Sequence, residues 1–487
     1  MLKKTQAEQN NSIKRNLIMN VLVTLSGVVN PLIVLPYVSR VLHPAGTGRV
    51  YFASSVISVF MLLAQMGIPV YGIRACARVR DDRKVLSGTA SSIMGLQILF
   101  SAGSFVLLTM TAFTLPMLRS EKTLLILMGL GVLLNGINSD WLFQGLEEYP
   151  FLTGRAVFFK LASAGAILLL TRNPGDYIIY GPLTMVPAAA ASVYNLFFLK
   201  KHVDLRLTGP GESFRHLGPA IHFFLLTAMT TVYTNLDMLM LGSIGGAAET
   251  GYYGTAVKIK LGLVNLMIAG VSVLMPRASY LAESGEMIAF RRTITRAIST
   301  CLIISSGVSV FFAFFAEDSI LLLAGRGFER AVLPMTFIMF TLIPIGLSQI
   351  LGMEVLIPLG RENQVIMGAA AGAAVDVVLN LFLIPSMGAT GAAISTLVSE
   401  VIVLIVIVSG VKKECSFLEG IPAGPLLLVI LSGLLPGSAA GLLCHAAFAS
   451  LVSTSPLMLF LAETALFLLI YGGISHFAYT KFLRKKL

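Results

Sequence analysis

Apolar runs of about 20 residues recur from one end of this chain to the other, and each is long enough as a helix to cross a hydrocarbon core about 30 Å thick. The runs are continuous and do not alternate with period two, which excludes a transmembrane barrel. Composition agrees: 56% of the 487 residues are hydrophobic and 12% charged, about half the charged share of a typical soluble domain, and the mean hydropathy is +0.85. The expected fold is an all-α polytopic membrane protein. The opening 13 residues, MLKKTQAEQNNSI, are polar, and the first apolar run is too long for a signal peptide, so no cleaved signal is expected. Cys76, Cys301, Cys415 and Cys444 are scattered without pairing or metal-ligand spacing and read as small apolar residues.

The pattern predicts about fourteen spans, at 15–41, 50–73, 86–112, 123–145, 152–171, 177–199, 217–242, 251–275, 293–316, 331–357, 364–384, 390–410, 422–446 and 456–480. An even count puts both termini on one face. That face then collects 25 of the 35 Lys and Arg residues, Arg155 among them; the opposite face holds 7, and Lys160, Lys258 and Lys260 fall inside spans. Such a bias makes the terminal face cytoplasmic, and it also explains the net charge of +11 without a nucleic-acid partner. No connection is long enough for a soluble catalytic domain.

An internal repeat organises the spans. AGTGRVYFASSVIS at 45–58 resembles AETGYYGTAVKIKL at 248–261, an offset of 203, and LFQGLEEYPFLTG at 142–154 pairs with LIPLGRENQVIMG at 356–368, an offset of 214. Both halves start from the same face with six spans each. They are therefore expected to be two parallel six-helix lobes related by pseudo-two-fold symmetry (1–206 and 207–412), with two additional helices in 413–487.

Polar residues inside spans need protein or water, because a charge at mid-bilayer costs at least about 2.5 kcal/mol. Span 1 aligns Asn16, Asn20, Thr24, Gly27 and Asn30 on one helical face. Span 2 aligns Tyr51, Ser54, Ser55, Ser58 and Gln65. Span 7 carries Thr227, Thr230, Thr231, Thr234 and Asp237, and span 8 Gly251, Thr255, Lys258, Gly262 and Asn265. Each stripe suits either a hydrated path or close packing by small residues. Glycine and serine fit both readings; a buried lysine fits the first. Lys258 is the leading substrate contact. Lys260 lies on the far side of that helix, to snorkel or to pair with an acid. Lys160 can line the path or answer Asp140. Among the acids within or near span ends (Asp140, Asp237, Glu354, Asp376, Glu400, Glu463), Asp237 is the coupling-ion candidate because it shares a face with four threonines.

The stretches LPYVSRVLHPAGTG (35–48), WLFQGLEEY (141–149), LIPLGRENQ (356–364) and LNLFLIPSMGATGAAIST (379–396) resemble the bacterial polysaccharide flippases. These are the Wzx-type oligosaccharide-lipid translocases of the superfamily that also holds multidrug exporters and the lipid II flippase. The resemblance runs the length of the chain, and the W-x-F-Q-G-x-E-E string is its most specific part. It implies a monomer in the bacterial cytoplasmic membrane that moves an undecaprenyl-pyrophosphate-linked oligosaccharide by alternating access, for surface polysaccharides such as O-antigen. Polysaccharide polymerase and glycosyltransferases would be its partners. In that family spans 1, 2, 7 and 8 line a cavity between the lobes. Lys258 and Lys160 would then meet pyrophosphate, as would Arg74 and Arg277 at the inner span ends and Arg40 and Arg49 at the outer mouth; positive-inside topology is the plainer account of Arg74 and Arg277. Trp141, Gln144, Gly145, Glu147 and Glu148 become either an interfacial anchor, with Trp141 at headgroup level, or a gate. Alternatives within the fold are a lipid II flippase or a cation-coupled drug exporter; a membrane polymerase would need a long catalytic loop. With no H-E-x-x-H and no Gly-rich loop ending in Gly-Lys-Ser/Thr, neither metal, cofactor nor ATPase chemistry is expected.

Overall fold

The structure, a computed structural model, describes residues 6–206, 208–272, 278, 280–281, 284–414, 438, 442 and 456–478, with the side chains of 6–32 and of some further helical positions outside the description. Among the described residues every regular element is a helix, and seven helices are long and apolar enough to cross a membrane. Two compact units divide the chain, Met1–Ser243 and Ile244–Leu487.

In unit 1, α1 (Gln6–Gln65) covers predicted spans 1 and 2 and kinks at His43 (φ 56°). It is followed by α2 (Ile68–Val79), α3 (Arg83–Thr114), α4 (Lys122–Leu134), α5 (Asp140–Gly145), α6 (Tyr149–Leu170), α7 (Tyr177–His202) and α8 (Leu217–Ile244). Asp82 caps α3, its carboxylate accepting the backbone N–H groups of Lys84 and Val85. In unit 2, α9 (Ala247–Ser272) and α10 (Met287–Phe314) precede α11 (Val332–Met339) and α12 (Leu342–Gln349). After a π-helical stretch at Ile350–Leu356 come α13 (Glu362–Glu414), which kinks at Gly388, and α14 (Pro456–Ala478). Span 13, expected at 422–446, falls almost wholly outside the described residues.

The repeat is visible in the backbone. His43 and Gly246, separated by the offset of 203, both adopt left-handed φ (56° and 87°) where the chain turns between two spans. Four residues on, Thr47 Oγ1 donates to the His43 carbonyl at 2.9 Å and Thr250 Oγ1 to the Gly246 carbonyl at 2.8 Å. Next to these turns each unit ties its connections by an ion pair. In unit 1 the Arg49 guanidinium meets Glu121 at 3.4 Å, donates to the Tyr177 hydroxyl at 2.8 Å and lies 4.9 Å over that ring. In unit 2 the signs are exchanged: Glu249 meets Arg330 at 3.1 Å, and Arg330 lies 5.7 Å over Tyr252, the repeat counterpart of Arg49. Glu249 also accepts the Ala389 N–H at 2.8 Å. That approach requires Gly388, because a Cβ there would collide with the Glu249 carboxylate.

Span 4 departs from expectation. The predicted continuous helix over 123–145 is broken: α4 ends at Leu134, a 3-10 turn covers Asn135–Ile137, and α5 begins at Asp140. The cluster Asn-Gly-Ile-Asn-Ser is a turn signal strong enough to interrupt an apolar helix. Backbone groups freed inside a membrane need partners, and side chains supply them. Gln97 Nε2 donates to the Asn135 carbonyl at 2.5 Å and Trp141 Nε1 to the Asn138 carbonyl at 3.0 Å.

Candidate functional site

The W-x-F-Q-G string folds as α5 and the turn after it. Trp141 is only 2% exposed, which corrects the expectation of a headgroup anchor. Its indole N–H also reaches the Gln97 carbonyl oxygen at 2.9 Å, and its ring lies where a Cβ on Gly72 would come within 2.8 Å. Gly145 closes α5 against α2, where a Cβ would stand 3.1 Å from the Ile73 carbonyl oxygen and 3.2 Å from Cys76 Cβ. Gln144 is half-buried. Glu147 is exposed with φ 62° and takes Arg80 at 2.8 Å; the bond keeps the Arg80 guanidinium still further above its usual range. Glu148 caps α6 and approaches His202 at 4.0 Å. The indole and the two carboxylates are therefore a packed corner with an ionic rim.

Beside it lies a polar cluster that sequence reasoning missed. Arg155, counted among the cytoplasmic loop cations, is buried in α6, and its Nη2 donates to Asp140 Oδ1 at 2.6 Å. Asn195 Nδ2 donates to the same oxygen at 2.7 Å. The Asp140 carboxylate, a candidate to answer Lys160, holds Arg155 and Asn195; Lys160 itself is half-buried. The available signal was position: Arg155 lies inside the predicted fifth span, so it needed a partner on a neighbouring helix.

The four stripes divide. On α9, Gly251 and Thr255 are buried while Lys258 and Asn265 are exposed on one face two turns apart, and Lys260 is 8% exposed. Lys260 therefore does not snorkel, and the stripe is a packing face at one end and an open face at the other. In span 2, Tyr51 and Ser55 are buried while Ser58 and Gln65 are half-buried; Ser58 Oγ donates to its own helix at the Ser54 carbonyl. Thr234 is exposed on α8 and Asp237 is 6% exposed one turn on. The side chains of Asn20, Thr24 and Asn30 and the whole of Arg277 lie outside the described residues. Arg74 is exposed with its guanidinium 4.9 Å over Phe223. Arg40 donates to the Pro36 carbonyl at 2.6 Å. Arg49 is held in its ion pair with Glu121, whose carboxyl pKa burial raises above the usual range while Arg49 partly offsets the rise. The candidates thus occupy several places in both units and do not form one cluster within either.

Unit 2 holds a further intramembrane network: the Asn380 amide and the Ser399 hydroxyl donate to the two oxygens of Asp376 at 3.2 and 3.3 Å. Tyr253 and Thr396 share a 2.8 Å hydrogen bond. Glu354, on the π-helical stretch, is 2% exposed. Cys76 and Cys301 are free and buried. Among the described residues no group of three or more metal-ligating side chains forms.

Residues 13–282 match the family of polysaccharide biosynthesis proteins. The chain belongs to that family. Two curated relatives, both named "Putative O-antigen transporter", align over most of its length. The one from Escherichia coli (strain K12) is 22% identical over 80% of this chain and 95% of its own, and the one from Shigella dysenteriae 23% identical over 82% and 100%. In fold the chain is similar to the lipid II flippase MurJ in its inward closed conformation (TM-score 0.74, 12% identity, 96% of this chain and 99% of that one). It is also similar to an inward-facing multidrug resistance MATE family transporter of the MOP superfamily (TM-score 0.61, 16% identity, 81% and 96%). This member of the polysaccharide biosynthesis family is a multi-span membrane protein with the architecture of those transporters, as the apolar runs and the duplication led one to expect.

Proposed function

We propose that the protein is a flippase of the bacterial cytoplasmic membrane that translocates an undecaprenyl-pyrophosphate-linked oligosaccharide for surface polysaccharide synthesis. Its termini are cytoplasmic, and it works by alternating access without catalytic chemistry of its own. Lys258 carries the proposal. It is exposed on α9, the eighth span expected from the sequence, with Asn265 two turns along; in such a span a lysine facing lipid would cost at least about 2.5 kcal/mol. A cation there compensates a pyrophosphate, and an amide beside it suits sugar hydroxyls. Family membership and the named role of the two relatives support the same class of substrate. Asp237, buried on α8 beside Thr234, is the proposed coupling-ion residue.

The test is surface-polymer export in cells that depend on this transporter. Lys258→Ala at equal protein level should reduce export strongly, and Lys258→Glu should abolish it by placing like charges together. Unchanged export in both would remove Lys258 from the path. Rescue of cells depleted of lipid II flippase, without rescue of polymer export, would make lipid II the cargo. Ion-dependent resistance to small cationic drugs would make the protein an exporter.

A further inference from the structure

The break at Met66 (φ 42°) and Gly67 (φ 72°) turns the chain out of span 2 and into α2, which is two-sided. Ile68, Gly72 and Cys76 are buried, and Ile68 and Cys76 belong to a core that includes Leu86, Trp141 and Leu199. Val70, Arg74, Ala77 and Arg78 are exposed, and their spacing puts them on one helical face. Two guanidiniums one turn apart therefore stand on a helix that the core holds in place.

A third comes from another segment. The Tyr71 hydroxyl and His216 Nδ1 share a 2.6 Å hydrogen bond. It brings to the same corner the exposed Arg215, at the end of a short helix at Pro210–Phe214. Burial first, and the Arg215 charge second, hold the His216 pKa below its usual value, so the imidazole is neutral beside charged arginines. Arg74 lies 4.9 Å over the Phe223 ring of α8, a stacking that orders a guanidinium without consuming its N–H donors.

Ion pairing separates these three from their neighbours. Arg80 takes Glu147, Arg83 takes Asp204, and the Asp82 carboxylate caps α3. Among the described residues Arg74, Arg78 and Arg215 enter no ion pair, not even with Glu212 one turn before Arg215. Like charges gathered without an acid repel one another, and a bound anion relieves that repulsion. Guanidiniums suit phosphate, to which they give two parallel N–H bonds. Val70 and Ala77 leave the same face partly apolar, as a surface at the lipid boundary requires.

We infer that Arg74, Arg78 and Arg215 form a binding site for the phosphate headgroup of an anionic lipid, with Tyr71, His216 and Phe223 positioning them. The phosphate belongs either to a membrane phospholipid or to a polyprenyl pyrophosphate, and only the second source rests on the flippase reading.

The test is native mass spectrometry of the full chain in detergent, titrated with phosphatidylglycerol, undecaprenyl pyrophosphate or, as a probe without phosphate, dioleoylglycerol. The wild type should bind the better of the two phosphate lipids far more tightly than dioleoylglycerol. Replacing Arg74, Arg78 and Arg215 by Gln should weaken that binding about fivefold per arginine, on the order of a hundredfold together, and leave dioleoylglycerol unchanged. Replacing Lys84, Lys200 and Lys201 by Gln removes equal charge from exposed positions of the same unit and should keep wild-type affinity. All six side chains are exposed, so an unchanged thermal unfolding curve shows each variant to be folded. Equal losses in the two triple variants, or no preference for phosphate over dioleoylglycerol, would overturn the proposal. Tighter binding of undecaprenyl pyrophosphate, with polymer export reduced in the arginine variant, assigns the site to the cargo. Tighter binding of phosphatidylglycerol, with export unchanged, assigns it to bilayer lipid. A wild type that exports no polymer would remove the flippase reading and leave the phosphate site to the binding data.

Discussion

The two units share a backbone plan and differ in what they do with it. At the turns related by the offset of 203, His43 and Gly246 both have positive φ and are closed by the same threonine bond. At the end of the fourth span, the offset of 214 pairs Asp140 with Glu354. Asp140 follows a break and is neutralised by Arg155 and Asn195; Glu354 is buried in a π-helical stretch, and Ala369 occupies the position equivalent to Arg155. The turns paired by the repeat offset, which fix where helices point, are thus alike, while the carboxylates paired by the second offset differ in their surroundings. Unit 1 uses its acid to hold a broken helix together. Unit 2 passes through the same position in a π-helical stretch and gathers polar side chains around Asp376 instead.

The largest consequence of that difference concerns the two acids. Asp140→Ala strands a buried guanidinium and should cost about 3–5 kcal/mol of stability, whereas Glu354→Gln strands no partner and should cost about 1 kcal/mol or less. Thermal unfolding of the purified variants in one detergent compares them, and equal losses would erase the distinction between the units. Gly72→Ala should come next, at about 1–3 kcal/mol, because its methyl group enters the Trp141 ring. Adding Trp141→Leu should recover part of the loss. Thr47→Val and Thr250→Val should each cost about 1 kcal/mol and match one another, since both remove the same bond at the same turn. A mismatch would mean that the turns are alike in outline only.

The smallest effect is a pH dependence at the connections. Backbone N–H groups of Arg172 and Asn173 hold Asp176 below the usual carboxylate range, and the Gly327 N–H does the same for Glu329. Each therefore contributes stability above the usual range that is lost as pH falls through its lowered pKa. Asp176→Asn and Glu329→Gln should each flatten the acid side of the stability profile slightly, and by similar amounts.

Much of the architecture could be read from the sequence because its signals are local. Apolar length sets the spans, basic loops set the expected orientation, and AGTG over AETG marks a turn that proves to be common to both units. The candidate site was less legible because its contacts join distant segments. Trp141 could be buried only because Gly72, in another helix, leaves room for its ring. Arg155 looked like a loop cation because its partners stand on two other helices. Helical periodicity put Lys258 and Lys260 on opposite sides of span 8, but packing decides which side is covered, and it covers Lys260. The break in span 4 was within reach, since Asn135 to Ser139 is a run of turn-forming residues that apolar length alone concealed.

The most direct measurement is translocation by the purified protein in proteoliposomes, supplied with a fluorescent undecaprenyl-pyrophosphate-linked oligosaccharide and read by enzymatic trimming of glycans on the outer leaflet. The wild type should expose the labelled headgroup far faster than protein-free vesicles, and Lys258→Glu should not. Equal rates with and without the protein, in vesicles where the same preparation moves small cations, would contradict the account.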